Sequence, residues 1–300
     1  MKMKRELLVT DPAILLNKIS TNFPDLTWDL FKFLNHSWDF QVIILDNSIV
    51  FRFPTTKSLR DVLKREMEML SLVKDIPNIS IPRYTYIPKN GDFGGYALIP
   101  GEELTKQVIQ RFTYQDLKSI ANSIGVFLQN LHSTNPMSQL KDETSSLLTE
   151  DEILMKKSRL YLKNLLTPAQ LETVIKVLED VKSTRKSAYT KSLIHGDLYG
   201  RHIFWDNIRK NLGIIDFSDV SIGDPALDFA ELFEYGATFT QDVYLSYESD
   251  IHDPNFLERA LLYYRRVGIF LMINSFEDSK ISFKDAYAIF KTALEIEVLR

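Results

Sequence analysis

Three hundred residues, 45% of them hydrophobic and 12% aromatic, exceed what one small core requires, so the chain is long enough for two lobes. A formal charge of −4 without any long Lys/Arg tract excludes the concentrated basic face that a nucleic-acid partner needs, and zero cysteines exclude disulfides and thiolate metal sites, as suits a reducing cytosol. No apolar run reaches the roughly 18 residues of a membrane span, and the basic start MKMKRELLVTDP has no apolar signal core, so a soluble cytoplasmic monomer is expected.

Asp11 before Pro12 is an N-cap with proline at the first helical position, and predicts a helix to about Phe23. TWDLFKFL, DFQVIIL and SIVFRFP are short, rich in β-branched and aromatic residues, and separated by polar turns such as Asp46-Asn47-Ser48. They predict an antiparallel meander. Ser58 to Lys74 carries Leu59, Leu63, Met67 and Leu70 on one helical face. RYTYIP and GYALIPG predict two more strands about the turn at Asn90-Gly91.

From Thr113 the spacing turns helical, with a stripe of Leu117, Ile120, Ile124, Leu128 and Leu131, and Thr167-Pro168 opens another helix. The segments SLIHGD, HIFWD and LGIIDF form a strand cluster, after which helices are predicted over Pro225 to Tyr235, Pro254 to Asn274 and Ser282 to Val298. There is no internal repeat or low-complexity linker. The fold class is α+β: an antiparallel sheet lobe with one main helix over 1–100, and a larger, mostly helical lobe over 101–300, divided near Gly101. From Ser221 onward 14 acidic residues face 7 basic ones, which suits either a cationic ligand or plain solubility.

The chemistry concentrates in LIHGDLYGRHIFWDNIRKNLGIIDFSDVSIGDPALDFAEL, Leu193 to Leu232. An apolar strand ends at His195-Gly196-Asp197, His202 follows five residues after Asp197, and a second apolar strand ends at Asp216. A lone His-Gly-Asp arises by chance or in tight turns. Protein kinases, however, place a catalytic aspartate five residues before a metal-binding asparagine, with a second metal-binding aspartate after a further strand. Asp197, His202 and Asp216 reproduce that spacing, with His in place of Asn. Mg²⁺ prefers oxygen, so His202 is also readable as a histidine that packs at a strand start. Asp224 caps the helix beginning at Pro225.

These motifs resemble the aminoglycoside phosphotransferase family, which includes macrolide kinases and, more distantly, choline and homoserine kinases. SIVFRFP looks like the family's third strand, KREMEML its lobe-one helix, GYALIPGEEL its hinge, and HGDLYGRHIFWD with GIIDFSD its catalytic core. The resemblance implies a two-lobed, protein-kinase-like fold with Asp197 as catalytic base and Mg²⁺ on Asp216 and His202. It places Arg52 at the phosphate-binding lysine position, where a guanidinium fork still clamps phosphate oxygens, and gives it Glu66 as partner, or Glu68 failing that. It makes the hinge at Tyr96, Leu98 and Ile99 the reader of GTP or ATP. LNHSWDFQ lacks the glycines that cover the phosphates in many relatives, which leaves Ser37 and backbone N–H groups for that task. Asp228 is implied to brace the catalytic loop near His195, with Asp224 a second structural support.

For the acceptor, IDFSD resembles the IDFGD of kinases acting on the 2″-hydroxyl of aminoglycosides, with Asp219, Glu231, Glu234, Tyr235 and the acids around Glu248 as substrate residues. A macrolide 2′-hydroxyl is the alternative, with Tyr235, Phe239, Tyr244 and Tyr247 as an aromatic wall. A choline-like metabolite kinase with an aromatic cage, and a non-catalytic kinase-fold binding protein, complete the alternatives.

Overall fold

The computed structural model describes residues 11–34, 39–135, 140, 142, 144–187, 189–247, 253–277 and 281–298. Ser37 and Glu248 lie outside the described residues.

Helix α1, Pro12–Asn22, starts where Asp11 accepts the Ala13 N–H at 2.9 Å. Strands β1 (Phe31–Leu34), β2 (Phe40–Leu45) and β3 (Ile49–Pro54) form the expected meander, and α2 (Lys57–Leu70) follows, capped by Thr56. Strand β4 (Ile79–Ser80) precedes β5 (Gly94–Ala97), which completes a four-stranded antiparallel sheet in the order β1-β2-β3-β5. Successive side chains on a strand point to opposite faces. Phe51 and Phe53 of β3 therefore join Leu15, Ile19, Ile43 and Phe93 in a core under α1, whereas Arg52 between them faces the other way.

RYTYIP is not a strand. Only a bridge between Tyr86 and Gly95 forms there, because Pro82 and Pro88 at either end supply no N–H to a ladder. The strand β4, two residues upstream of Pro82, pairs instead with a later strand in a different sheet.

Strand β6 (Glu102–Glu103) leads into the second half of the chain, with α3 (Lys106–Ile109), α4 (Tyr114–His132), α5 (Thr144–Tyr161) and α6 (Pro168–Arg185). Reciprocal capping boxes, Thr113 with Asp116 and Thr167 with Gln170, begin α4 and α6. Strands β7 (Ser192–Ile194), β8 (Ile203–Asp206), β9 (Asn211–Ile214) and β10 (Ser221–Gly223) form two small sheets, β10-β7 and β4-β9-β8-β6.

The helix expected over 225–235 is instead a short α7 (Leu227–Ala230) running into a 3-10 turn, Glu231–Tyr235. Next comes α8 (Ala237–Leu245), a helix the sequence pattern does not predict, then α9 (Phe256–Asn274) and α10 (Phe283–Glu295), both slightly shorter than their sequence patterns. The large core joins Phe127 and Leu128 of α4, Phe217, Phe229 of α7 and Tyr263 of α9. The architecture is thus an antiparallel sheet with a helix, followed by a larger helical part. Among the described residues no helix is long and apolar enough to cross a membrane.

Candidate active site

The loop after β7 turns at Gly196, whose φ of +84° and approach to the Asp219 carbonyl, 2.5 Å from where a Cβ would sit, admit only glycine. Two backbone donors of this loop are held by one buried carboxylate: Asp228 accepts the N–H of His195 at 2.8 Å and of Gly196 at 2.9 Å. His195 is fully buried, and its Nε2 stands 3.0 Å from the Ile215 carbonyl while its Nδ1 accepts the Asp197 N–H at 3.3 Å. A carbonyl only accepts, so Nε2 carries the proton. Burial lowers the His195 pKa, against the pull of Asp228, and keeps the ring neutral. One imidazole thereby ties the Asp197 loop to the strand leading into Asp216.

Asp197, His202 and Asp216 converge. His202 Nδ1 lies 2.7 Å from the Asp197 carbonyl and 3.5 Å from its carboxylate, and Nε2 lies 3.7 Å from Asp216 Oδ2. Tyr199 packs edge-on against this imidazole at 4.4 Å. Burial pushes the Asp197 carboxyl up to about 6, with Asp219 and Asp216 adding to the rise and His202 opposing it. Asp216, at a φ of +63°, accepts from Arg52 Nη2 at 2.9 Å and Ser218 Oγ at 2.8 Å. Burial alone would raise its pKa, but Arg52 and then His202 hold it below the ordinary value.

Arg52 spends its other nitrogen on Glu66, 2.5 Å away, and on Tyr84 at 3.2 Å, while Tyr84 donates to the same Glu66 oxygen at 2.9 Å. Its guanidinium lies 4.2 Å over the Phe40 ring. Burial works against its charge, yet Glu66, then Tyr84 and Asp216, push its pKa above the arginine norm. The planar fork presents a separate nitrogen to each carboxylate, Nη1 to Glu66 and Nη2 to Asp216. Glu68 is exposed and takes no part.

Among the described residues no three His or carboxylate side chains form a group able to hold a metal by themselves. The donor set still suits Mg²⁺ in one respect. Nδ1 of His202 donates to the Asp197 carbonyl, which leaves Nε2 as the ring nitrogen that faces Asp216 Oδ2 at 3.7 Å. Mg²⁺ commonly takes one or two protein ligands and completes its shell with substrate phosphates and water.

Beside Asp197 opens a cavity of about 730 Å³. Asp197, Asp219 and Glu231 line it, as do Tyr199 and the apolar Val267, Phe270 and Leu271 of α9. Glu234 and Tyr235 are not among its lining residues, and the Tyr235 hydroxyl donates to the Leu104 carbonyl. Phe239, Tyr244 and Tyr247 pack inside the lobe, Tyr247 and Tyr244 against Phe229 and Phe256 at ring separations of 5.3 and 5.1 Å. At the hinge the Leu98 N–H donates to the Ser48 carbonyl at 2.7 Å. Leu98 and Ile99 also line a smaller cavity of about 280 Å³ with Ile79 and Phe127, and Tyr96 is buried edge-on against Tyr84 at 5.0 Å.

Asp224 does not cap the helix, which begins at Leu227 with Ala226 as its N-cap and no side-chain cap bond; it accepts the Ala226 N–H at 3.1 Å in the preceding turn and is chiefly engaged by Arg259 Nε at 2.9 Å and Nη2 at 3.0 Å and by the Tyr263 hydroxyl at 2.8 Å. Tyr84, Tyr199, His132 and Arg259 escape a reading of sequence. Only Tyr199, inside HGDLYG, sits near a motif that signals it.

Glu231 makes a pH-dependent prediction. Burial pushes its carboxyl up to about 8, with Asp197 and then Glu234 adding like-charge repulsion. A carboxyl whose folded pKa exceeds its unfolded value of 4.5 keeps its proton in the fold while the unfolded chain ionises. Its contribution to stability is therefore fullest below the unfolded pKa and is lost as pH rises through the folded one. Glu231→Gln should accordingly be more stable than wild type near about pH 8 relative to any difference near about pH 4. Urea denaturation at the two pH values checks this, and an identical difference at both contradicts the shift.

The model of the phosphotransferase enzyme family matches residues 31–264. Viomycin phosphotransferase of Streptomyces vinaceus is 35% identical over 57 residues, a match that spans 18% of this chain and only 19% of that protein's length. Among solved structures, the GDP and kanamycin complex of an APH(2″) superposes with a TM-score of 0.77 at 22% identity, covering 94% of this chain and 98% of that one. A macrolide 2′-phosphotransferase from Brachybacterium faecium gives 0.65 at 16% identity, covering 94% and 95%. At these identities the likeness establishes the fold, a mixed α+β kinase-like one.

Proposed function

Since the chain belongs to the phosphotransferase enzyme family, we propose that it moves the γ-phosphate of a nucleoside triphosphate onto a hydroxyl of an antibiotic, an aminoglycoside on the first reading. The observation that carries this is the position of Asp197: a carboxyl pushed up to about 6, on a loop fixed by Asp228, between a 730 Å³ cavity and the Arg52–Asp216–His202 cluster.

A general base works best with a pKa near the operating pH, and here it would accept the acceptor's hydroxyl proton. Arg52, held by Glu66 and Tyr84, would clamp phosphate oxygens. Asp216 and His202 would hold Mg²⁺, which when bound neutralises charge across the phosphates. The donor would be GTP or ATP, read at the hinge over Tyr96 to Ile99 through backbone groups other than the Leu98 N–H, which the Ser48 carbonyl already holds. The division at Gly101 separates a nucleotide lobe from a catalytic one in this reading.

Asp219 in the cavity wall beside Asp197 favours an amine near the accepting hydroxyl, and the buried Glu231 carboxyl would add a hydrogen-bond partner for it. A polycationic aminoglycoside meets that demand. The macrolide reading is supported by a separate observation, the apolar wall of Val267, Phe270 and Leu271, which matches a single amine on a large apolar ring. Aminoglycosides, macrolides and choline, each offered with ATP and with GTP in the presence of Mg²⁺, separate the readings through phosphorylated product detected by mass spectrometry. Aminoglycoside product is expected. Macrolide product alone selects the second reading, choline product selects a metabolite kinase, and Mg²⁺-dependent nucleotide binding without any transfer selects the non-catalytic one.

A further inference from the structure

We propose that Tyr247 and His132 are a positioning pair for the reaction, holding the Asp197 loop in place through Asp228. His132 is the last residue of α4, Asp228 lies in α7, and Tyr247 follows α8, so three helical elements meet at one buried imidazole. His132 Nε2 stands 3.0 Å from Asp228 Oδ2 and its Nδ1 stands 2.9 Å from the Tyr247 hydroxyl. The His132 and Asp228 side chains are 3% and 0% exposed.

Asp228 is ionised: burial would raise its pKa, but the hydrogen bond from His132 pulls it below the ordinary value. An ionised carboxylate only accepts, so Nε2 of His132 carries a proton and donates it. Nδ1 then faces the Tyr247 hydroxyl, whose bond, with the rings packed edge-on at 5.4 Å, fixes the plane of the imidazole. Oδ2 of Asp228 is thus shared between His132 and the N–H of His195, while Oδ1 takes the N–H of Gly196.

The consequence follows from geometry. A carboxylate that cradles two successive loop amides holds them only while its own rotation is blocked. His132 supplies the block from the side opposite the loop, and Tyr247 keeps His132 from turning. Without the pair the carboxylate swivels, the His195 and Gly196 amides loosen, and Asp197, one residue on, leaves its place. A purely structural staple between α4 and α7 would instead change stability and leave turnover per folded molecule intact.

The test uses the full chain with three substitutions. Tyr247→Phe keeps the ring and removes the hydroxyl, His132→Ala removes the donor, and His132→Gln restores an amide donor at the Nε2 end. The kinetic arm rests on the phosphotransferase reading; the amide-exchange and imidazole arms do not. In Tyr247→Phe, kcat should fall about three- to ten-fold, the worth of one hydrogen bond, with nucleotide KM unchanged. His132→Ala should fall further and His132→Gln should regain part of the loss. Deuterium exchange at the His195 and Gly196 amides should quicken in Tyr247→Phe, and ¹⁵N spectra of wild type should show His132 protonated on Nε2. Wild-type kcat in Tyr247→Phe overturns the proposal, as does unchanged exchange or an Nδ1–H tautomer. Should no acceptor be turned over, exchange and tautomer decide it alone.

Discussion

Replacing Asp197 by alanine should lower kcat by about 10²- to 10⁴-fold, the usual worth of a positioned base, while leaving the melting temperature and nucleotide affinity nearly unchanged. The separation is expected because the Asp197 side chain is 41% exposed and its carboxylate stands 3.5 Å from the His202 ring without closing a buried network. What fixes the loop is the backbone held by Asp228 and the ring of His195, and both remain in the variant. Steady-state kinetics with whichever acceptor proves active, alongside a thermal melt, is sufficient. A variant that turns over like wild type removes Asp197 from the chemistry.

The second large effect concerns stability. Asp224 is 1% exposed and receives two Arg259 nitrogens and the Tyr263 hydroxyl. Breaking a buried pair from one side leaves an uncompensated charge and costs about 3–5 kcal/mol. Asp224→Ala should fall near the lower figure, because Arg259 retains Asp253 at 2.5 Å. Removing both partners in Asp224→Ala with Arg259→Met should recover part of the loss, since the stranded cation goes with its anion. Urea denaturation of the two single variants and the double variant measures the coupling, and simple additivity would show that the pair does not act as a unit.

What sequence disclosed was mainly what is local. The Asp11-Pro12, Thr113 and Thr167-Pro168 caps start helices where their side chains reach the next turn's amides, and the composition of SIVFRFP marked the strand that carries Arg52. The spacing of Asp197, His202 and Asp216 brought three distant-looking side chains into one cluster because a short hairpin, β8 with β9, lies between the last two. Contacts made across the fold were hidden. Val267, Phe270 and Leu271 read as ordinary helix core until α9 is seen to flank a cavity. His132 at a helix end and Tyr247 in an aromatic stripe carry no spacing signal at all. Glu231 and Tyr235 look equivalent along the chain, yet the tight 3-10 turn sends one to the cavity and the other to the Leu104 carbonyl. RYTYIP had strand composition but two prolines decided its pairing.

The small sheet β4-β9-β8-β6 joins residues from before and after the hinge, since β4 pairs in parallel with β9. The chain therefore passes back and forth: β3 in one sheet, β4 in the other, β5 in the first again, β6 in the second. Three successive crossings of the chain thus stitch the two sheets together, and the Arg52–Asp216 ion pair at 2.9 Å ties β3 of the first sheet to the residue that follows β9 of the second, so neither sheet can shift without straining the other's contribution to the cluster.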